Sequence, residues 1–319
     1  MTKALVLFNL EKPFQKQLEL ILSGMRVKYL ERPDTISSED MKDTEIIFSN
    51  PDPLTLASYP KLKWIQLTSA GADGYNEHTV RQGVTVTNAT GAYGHAIAEY
   101  LIGYVFSLYK RLHQYRDEQN RGHWISRGMV KSVKNSVVLV VGLGNIGSEF
   151  AWRMKALGCT VIGVRRVVRD KPDYVDELVL SGRLDEALPQ ADIVALCLPG
   201  TAATSGLFDR TRLSRMKPGA ILINIGRGSA VDTDALCDLL ESGSIGGAAL
   251  DVTDPEPIPV GHRLWKVENV IITPHISGVF NMRETYENIV DICLDNAARY
   301  VRGEPLINVV DFNTGYRKT

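Results

Sequence analysis

Short apolar runs alternate with amphipathic or turn-rich stretches along the first ninety or so residues. ALVLFN, RVKYL, EIIFS, KWIQLTS and VTVTNAT are each β-branched or aromatic enough to read as strands. The rhythm is that of βα units and predicts a first parallel sheet. A helical pattern follows from about Ile97 to Glu118, and the polar, basic stretch QNRGHWISRGMVKSVKNS separates it from the next strand. That stretch reads as a change of domain. The chain restarts with VVLVVGLGNIG and continues through TVIGV, DIVALCLP, AILINIGRG, GGAALDVT and NVIITPH, each strand leaving into a glycine, proline or polar turn. A second parallel sheet is predicted. A last helical pattern, NMRETYENIVDICLDNAARYVRG, stops at Gly303 and is expected to return to the first domain.

Length and composition fit this layout. A chain of 319 residues is longer than one average domain, so two domains sharing a cleft are expected. With 44% hydrophobic and 23% charged residues it has the composition of an ordinary soluble globular protein. A net charge of -1 gives no general attraction to nucleic acid or anionic membranes, so the expected partners are small molecules and further copies of the chain. The start MTKALVLFNLEKPF lacks the basic start, apolar core and cleavage site of a signal peptide. AEYLIGYVFSLY is too short to span a bilayer and carries Glu99. Both point to a cytoplasmic protein with no membrane segment. Cys159, Cys197, Cys237 and Cys293 are far apart and sit in apolar or helical patterns, which suits buried thiols in a reducing compartment.

The first candidate for chemistry is a glycine fingerprint. In VVLVVGLGNIGSEF, Gly142, Gly144 and Gly147 leave an apolar strand and open a helix, the context that gives a GxGxxG match its meaning. Gly142 permits the tight turn, Gly144 the approach of a pyrophosphate, and Gly147 close packing of helix on strand. The N–H groups of Asn145 and Ile146 then face the anion from a helix N-terminus. Where NAD-preferring folds carry an acid on the ribose, the strand TVIGV ends in Arg165 and Arg166. Two guanidiniums suit a 2'-phosphate, so NADP(H) is the expected cofactor, with NAD(H) as the alternative. The other reading of these arginines is a solvated basic loop that continues through Arg169 and Lys171.

Three further strand ends carry ionisable groups: NIGRGSAVD with Arg227, ALDVTDPEPIP with Glu256, and VIITPHISG with His275. Taken singly, each has a plain structural reading as a loop ion pair, a turn residue or a strand-end histidine. Together, downstream of a dinucleotide fingerprint, they match what hydride transfer to a keto acid needs. That reaction calls for a cation for the carboxylate and carbonyl, an acid for the developing alkoxide, and a carboxylate to hold that acid.

On these motifs the sequence resembles the D-isomer-specific 2-hydroxyacid dehydrogenases, over nearly the whole chain and most clearly from Ile97 to Gly278. The resemblance implies that Arg227 binds carboxylate and keto oxygen, that Glu256 partners His275, and that His275 is the acid/base. It places Ser69, Ala70 and Gly71 where backbone N–H groups clamp the substrate carboxylate. It also sets Leu198, Pro199, Thr204, Ile225, Gly226, Asp251 and Gly278 around the cofactor, with no metal. The implied architecture is a Rossmann cofactor domain, residues 98–279, inserted into a flavodoxin-like substrate domain of residues 1–97 and 280–319, forming a homodimer built on the cofactor domain. The implied activity is NADP(H)-dependent interconversion of a small 2-keto acid and its (R)-2-hydroxy acid. Two other readings remain open: formate or phosphite oxidation on the same fold, against which Glu256 argues in the formate case, and a dinucleotide-sensing, corepressor-like binding protein. Thr253 and Phe280 depart from common family residues and are expected to border the substrate pocket. The short stretch after the last helix is read as a chain that lacks the regulatory domain many phosphoglycerate dehydrogenases append, an expectation from the resemblance.

Overall fold

The computed structural model describes residues 2–30, 36–278, 282–312 and 316–317. It divides into two compact units, Met1–Tyr93 with Phe280–Thr319, and Gly94–Val279. Phe280 lies outside the described residues.

In the first unit β1 (Lys3–Val6), β2 (Arg26–Tyr29), β3 (Thr44–Phe48), β4 (Trp64–Gln66) and β5 (Thr85–Thr87) form a parallel sheet in the order β2-β1-β3-β4-β5. This is the flavodoxin-like order, whose direction reverses between β1 and β3. Every residue of β1, β3 and β4 is buried, as expected of inner strands covered on both faces. Leu5, Ile47, Ile65 and Val86 pack with Leu56, Tyr59, Leu62 and Val310 in one core.

The helix Arg283–Arg302 belongs to this unit because its buried polar face completes the sheet's own hydrogen bonds. Asn296 Nδ2 donates to Gln66 Oε1 at 2.7 Å, Gln66 Oε1 also accepts from Thr87 Oγ1, and Thr87 Oγ1 accepts from the indole of Trp64. The Tyr300 ring stacks on Trp64 at 5.3 Å. Gly303, at φ 69°, ends the helix, and Glu304 N returns to Arg299 O.

In the second unit β6 (Val137–Val141), β7 (Thr160–Arg165), β8 (Glu177–Leu180), β9 (Ile193–Leu196), β10 (Ile221–Asn224), β11 (Gly247–Leu250) and β12 (Val270–Ile272) form a seven-stranded parallel sheet. Its order is β12-β11-β10-β9-β6-β7-β8, the Rossmann order, with the reversal between β6 and β9. The expected fold class, two doubly wound parallel sheets, is what the chain adopts. Two details differ from the sequence reading. Strand β8 was not foreseen: it is an edge strand of four residues with only Val179 buried. The single helix expected from Ile97 to Glu118 is two helices, Gly94–Tyr109 and Leu112–Asn120, because Arg111 takes a left-handed conformation at φ 56° between them. Among the described residues no helix is long and apolar enough to cross a membrane. Cys159, Cys237 and Cys293 are buried and Cys197 half-buried; burial pushes the Cys197 and Cys293 thiols up to about 12.

A buried charge pins one corner of the first unit. Asp40, in the helix Ser38–Asp43, accepts from Lys3 Nζ and Lys28 Nζ, each at 2.7 Å, and from the Ser37 hydroxyl. Burial pushes its carboxyl up, but the hydrogen bonds from Lys28, Lys3 and Ser37 outweigh that and hold it well below the usual carboxylate range. A carboxyl depressed on folding contributes stability that is complete above its unfolded value, about 4, and is lost as pH falls towards the folded one. Asp40→Asn should therefore cost about 3 kcal/mol at pH 7 in urea unfolding, by leaving two cations beside a neutral amide. The gap to wild type should narrow as the pH is lowered below about 4. A gap that stayed constant from neutral to acid pH would show that the charge of Asp40 is not what stabilises this corner.

Candidate active site

The second unit's chemistry gathers at the carboxyl edge of its sheet, where the doubly wound topology leaves a crevice outside the strand reversal. Strand β6 turns at Gly142 (φ 101°), and an added Cβ there would stand 2.5 Å from the carbonyl oxygen of Cys197, just beyond β9. A Cβ at Gly147 would run into the carbonyl of Gly142, whereas Gly144, the N-cap of the helix Asn145–Ala156, has open space above it. The glycine pattern thus makes a cradle that is closed on the sheet side and open on the other. Its mouth is lined by the first-turn N–H groups of Asn145, Ile146 and Gly147, which have no intrahelical acceptors. These residues fit a dinucleotide's pyrophosphate. Arg165, the last residue of β7, lies beside the same turn, its Nε donating to Leu143 O at 3.2 Å. Arg166 follows it and is exposed.

Beyond β9 the loop with Leu198 and Pro199 is tied by Thr204, whose hydroxyl donates to Pro199 O at 2.6 Å and accepts from Thr201 N. Beyond β10, Asn224 clamps the next turn: its amide donates to Arg227 O and its Oδ1 accepts from Gly226 N. Ile225 is buried there. A Cβ at Gly226 would strike the backbone of Leu198, and one at Gly228 the backbone of Thr253 and Asp254. The loops after β9, β10 and β11 are therefore in direct backbone contact, and Arg227 projects from the middle one, half-buried, with Nη1 donating to Gly226 O at 2.7 Å.

The sheet register aligns the other two ionisable groups. Asn224, Leu250 and Ile272 are in register across β10, β11 and β12, so Arg227 and His275 each stand three residues past the same level. Glu256 comes from the loop between them. The Nδ1–H of His275 donates to Glu256 Oε1 at 2.6 Å, and among the described residues nothing partners its Nε2. Their side chains keep 48% and 43% of their surface open, so the free nitrogen is accessible. An imidazole held through Nδ1 by a carboxylate can exchange a proton at Nε2, and a guanidinium two strands away can hold an anionic group. Among the described residues no cluster of His, Cys, Asp or Glu could hold a metal ion.

Asp251 sits at the hub of the histidine loop. It is 1% exposed, and its Oδ1 accepts from Thr273 Oγ1 (2.6 Å) and Ile276 N, its Oδ2 from Ser277 N and Ser277 Oγ (2.5 Å). Its backbone carbonyl takes His275 N at 2.9 Å. The carboxylate of Asp251 is thus turned into the loop that carries the histidine. Thr273, Ser277 and Gly228 belong to this framework and were not singled out from sequence; the only signal was their place beside Arg227 and His275. Thr253 directs its hydroxyl to Pro255 O and its carbonyl against Gly228. Gly278 closes the described part of the histidine loop.

Ser69, Ala70 and Gly71 lie in the first unit, after β4. Thr68 N and Ser69 N donate to Asn50 Oδ1, Ser69 Oγ to Gly71 O, and Asn88 Nδ2 to Ala70 O. The hydroxyl of Tyr93 donates to Thr68 O. The turn is thus held by its carbonyls and by the N–H groups of Thr68 and Ser69, and no described residue accepts from the N–H of Ala70 or Gly71.

Known proteins resemble this chain in sequence and fold. The sequence profile described as D-isomer specific 2-hydroxyacid dehydrogenase, NAD binding domain, matches residues 102–277. A glycerate dehydrogenase of Methylorubrum extorquens is 31% identical over 286 residues, 86% of this chain and 87% of that one. A solved structure of a D-isomer specific 2-hydroxyacid dehydrogenase family protein from Aeromonas salmonicida superposes with a TM-score of 0.84 at 30% identity, covering 98% of this chain and 99% of that one. A probable 2-hydroxyacid dehydrogenase from Rhizobium etli, solved with NADP, HEPES and L(+)-tartaric acid, gives 0.79 at 26% identity over 99% of both chains.

Proposed function

The chain belongs to the D-isomer-specific 2-hydroxyacid dehydrogenases, and from that premise we propose that it is an NADPH-preferring reductase of a small 2-keto acid, with Arg227, Glu256 and His275 as its catalytic set. The observation that carries the reading is the His275–Glu256 hydrogen bond, which orients the imidazole and leaves Nε2 open for proton transfer. The Arg227 guanidinium holds the substrate carboxylate and offsets negative charge as it grows on the carbonyl oxygen. Protonated His275 donates from Nε2 to that oxygen, and Glu256 stabilises the imidazolium before and loses little by its neutralisation after. The N–H groups of Ala70 and Gly71, which no described residue accepts, are further candidate donors for a carboxylate. The glycine cradle, with Leu198, Pro199, Thr204 and Ile225 nearby, would hold a reduced nicotinamide dinucleotide, and that group would supply the hydride that C2 takes up.

Arg165 beside the glycine turn, with Arg166 following, supports NADPH over NADH, because a forked guanidinium contact to a 2'-phosphate is charge-assisted. The Rhizobium relative was solved with NADP. The segment from Arg121 to Ser132 supports a homodimer: Trp124 and Met129 are almost wholly exposed, and Ile125 and Val130 half exposed, more apolar surface than one short segment leaves in water without a partner.

Reduction of glyoxylate, hydroxypyruvate, pyruvate, 2-ketoisocaproate, phenylpyruvate and oxaloacetate, followed by NADPH absorbance, tests the reaction and finds its substrate. On the best substrate, Arg227→Ala should lose roughly a hundredfold or more in kcat/KM, about 3 kcal/mol, with NADPH affinity nearly unchanged. Near-normal turnover in that variant would remove Arg227 from the mechanism.

The wild type should favour NADPH over NADH by at least about tenfold in kcat/KM, since one solvent-exposed charge-assisted contact is worth about 1.5 kcal/mol. The preference should shrink as salt rises, and Arg165→Asp should abolish or reverse it while sparing kcat at saturating cofactor. Equal use of NADH at low salt would mean that the two arginines are only a solvated strand end.

Light scattering should give about twice the 35.3 kDa chain mass, and Trp124→Ser with Met129→Ser should shift it towards the monomer. A wild-type monomer at micromolar concentration would discard the dimer.

A further inference from the structure

A buried tyrosine stands behind the histidine loop without a part in the proposed chemistry. Tyr104 lies on the helix Gly94–Tyr109, is 5% exposed, and its hydroxyl is 2.7 Å from Thr273 Oγ1. Thr273 Oγ1 is in turn 2.6 Å from Asp251 Oδ1. Geometry alone leaves the first of these bonds without a direction, since either hydroxyl can donate. Proton counting supplies it. The threonine hydroxyl has one proton and an ionised carboxylate only accepts, so the Thr273 proton goes to Asp251 and Tyr104 must donate to Thr273. Burial pushes the Tyr104 phenol above its usual range, which keeps it a donor. The chain of donors therefore runs one way, from Tyr104 through Thr273 into Asp251.

The far end of that chain is the backbone of the proposed acid. Asp251 takes His275 N on its carbonyl and Ile276 N and Ser277 N on its carboxylate. His275 itself has φ 53°, a left-handed conformation that a non-glycine residue keeps only where its surroundings over-determine it. A carboxylate that can rotate would release the N–H groups of Ile276 and Ser277, the two residues that follow His275; one whose Oδ1 is fixed by a hydroxyl that is itself fixed cannot.

We infer that Tyr104 and Thr273 are positioning residues, a one-way hydroxyl relay that locks the Asp251 carboxylate and through it the backbone conformation that aims His275 at the substrate. The inference rests on His275 being the acid of the proposed reaction.

The test uses the full-length enzyme with NADPH and its best keto acid, comparing Tyr104→Phe, Thr273→Val, Thr273→Ser, the Tyr104→Phe/Thr273→Val pair and His275→Ala. Thr273→Val should lower kcat at least about tenfold, the scale of one hydrogen bond to a charged group, while NADPH affinity and the keto-acid KM stay within about twofold. Thr273→Ser, which keeps the hydroxyl, should retain most of kcat. Tyr104→Phe should lower kcat by a smaller factor, roughly threefold to tenfold on the same scale. Because Tyr104 acts only through Thr273, the double variant should be no slower than Thr273→Val alone. Losses that multiply in the double variant, an unchanged kcat in Thr273→Val, or a serine as damaging as the valine would each overturn the relay. If Thr273→Val does not fold, Tyr104→Phe against Thr273→Ser carries the test: unchanged kcat in the first, or tenfold loss in the second, sinks it. His275→Ala separates the two levels. If it keeps its activity the acid assignment has failed; if it is inactive while Tyr104→Phe and Thr273→Val keep normal kcat, only the relay has.

Discussion

Backbone meets backbone at the carboxyl edge of the seven-stranded sheet, and the closeness of that contact dictates most of what surrounds it. A Cβ on Gly142 would lie 2.5 Å from the Cys197 carbonyl, one on Gly226 2.9 Å from the Leu198 amide nitrogen, and one on Gly228 2.7 Å from the Asp254 nitrogen. Glycine is present at each point because an atom more would push two loops apart. The loops that carry the ionisable groups are consequently placed by the sheet register and by one another. Arg227 and Glu256 inherit their positions from that contact. A glycine that looks like a turn signal in the sequence is, in the structure, a spacing constraint between two chemical groups.

What the glycines do by absence of atoms, Asp251 does by hydrogen bonding. A buried carboxylate is expensive unless its lone pairs are matched, and this one meets two backbone N–H groups and two hydroxyls. The bonds serve both parties: the charge is satisfied, and a loop with a left-handed histidine gains the fixed acceptors that keep it from relaxing. The arrangement separates two tasks between neighbouring acids. Glu256, half-exposed, meets the imidazole; Asp251, enclosed, meets the backbone that presents it.

Much of this was legible from residues alone, for reasons that particular positions make clear. Inner parallel strands are buried on both faces, so VVLVV and IVAL stand out as unbroken apolar runs, and the glycine turn after the first of them has a fixed physical meaning. Edge strand β8 was missed because three of its four residues are not fully buried and carry no continuous apolar signal. The break at Arg111 was missed because a left-handed residue flanked by lysine and leucine leaves no glycine or proline to mark it. The ionisable triplet was legible because each member follows a strand, but the partners that hold it were not. Tyr104 reads as one more core position of an apolar helix until Thr273, distant in sequence, is brought against its hydroxyl. Long-range hydrogen bonds have no period and leave no local trace.

The same reasoning bears on selectivity. Thr253 gives its hydroxyl to Pro255 O and sets its carbonyl against Gly228, so it braces the loops of Arg227 and Glu256. On the proposed reading, the acid end of the substrate is met by the Arg227 guanidinium, and the turn of Ala70 and Gly71 offers backbone N–H groups suited to the same kind of anion. None of these is sensitive to what lies beyond C2. Backbone donors in a turn already fixed by Asn50 and Asn88 cannot change rotamer or protonation, so they recognise a carboxylate with little reorganisation and little discrimination. Reaction class is thus written into strand ends and turns, where register and glycine spacing leave few choices. The choice among 2-keto acids falls to side chains that the sheet does not position, and this is why fold and chemistry can be read from the chain further than its substrate can.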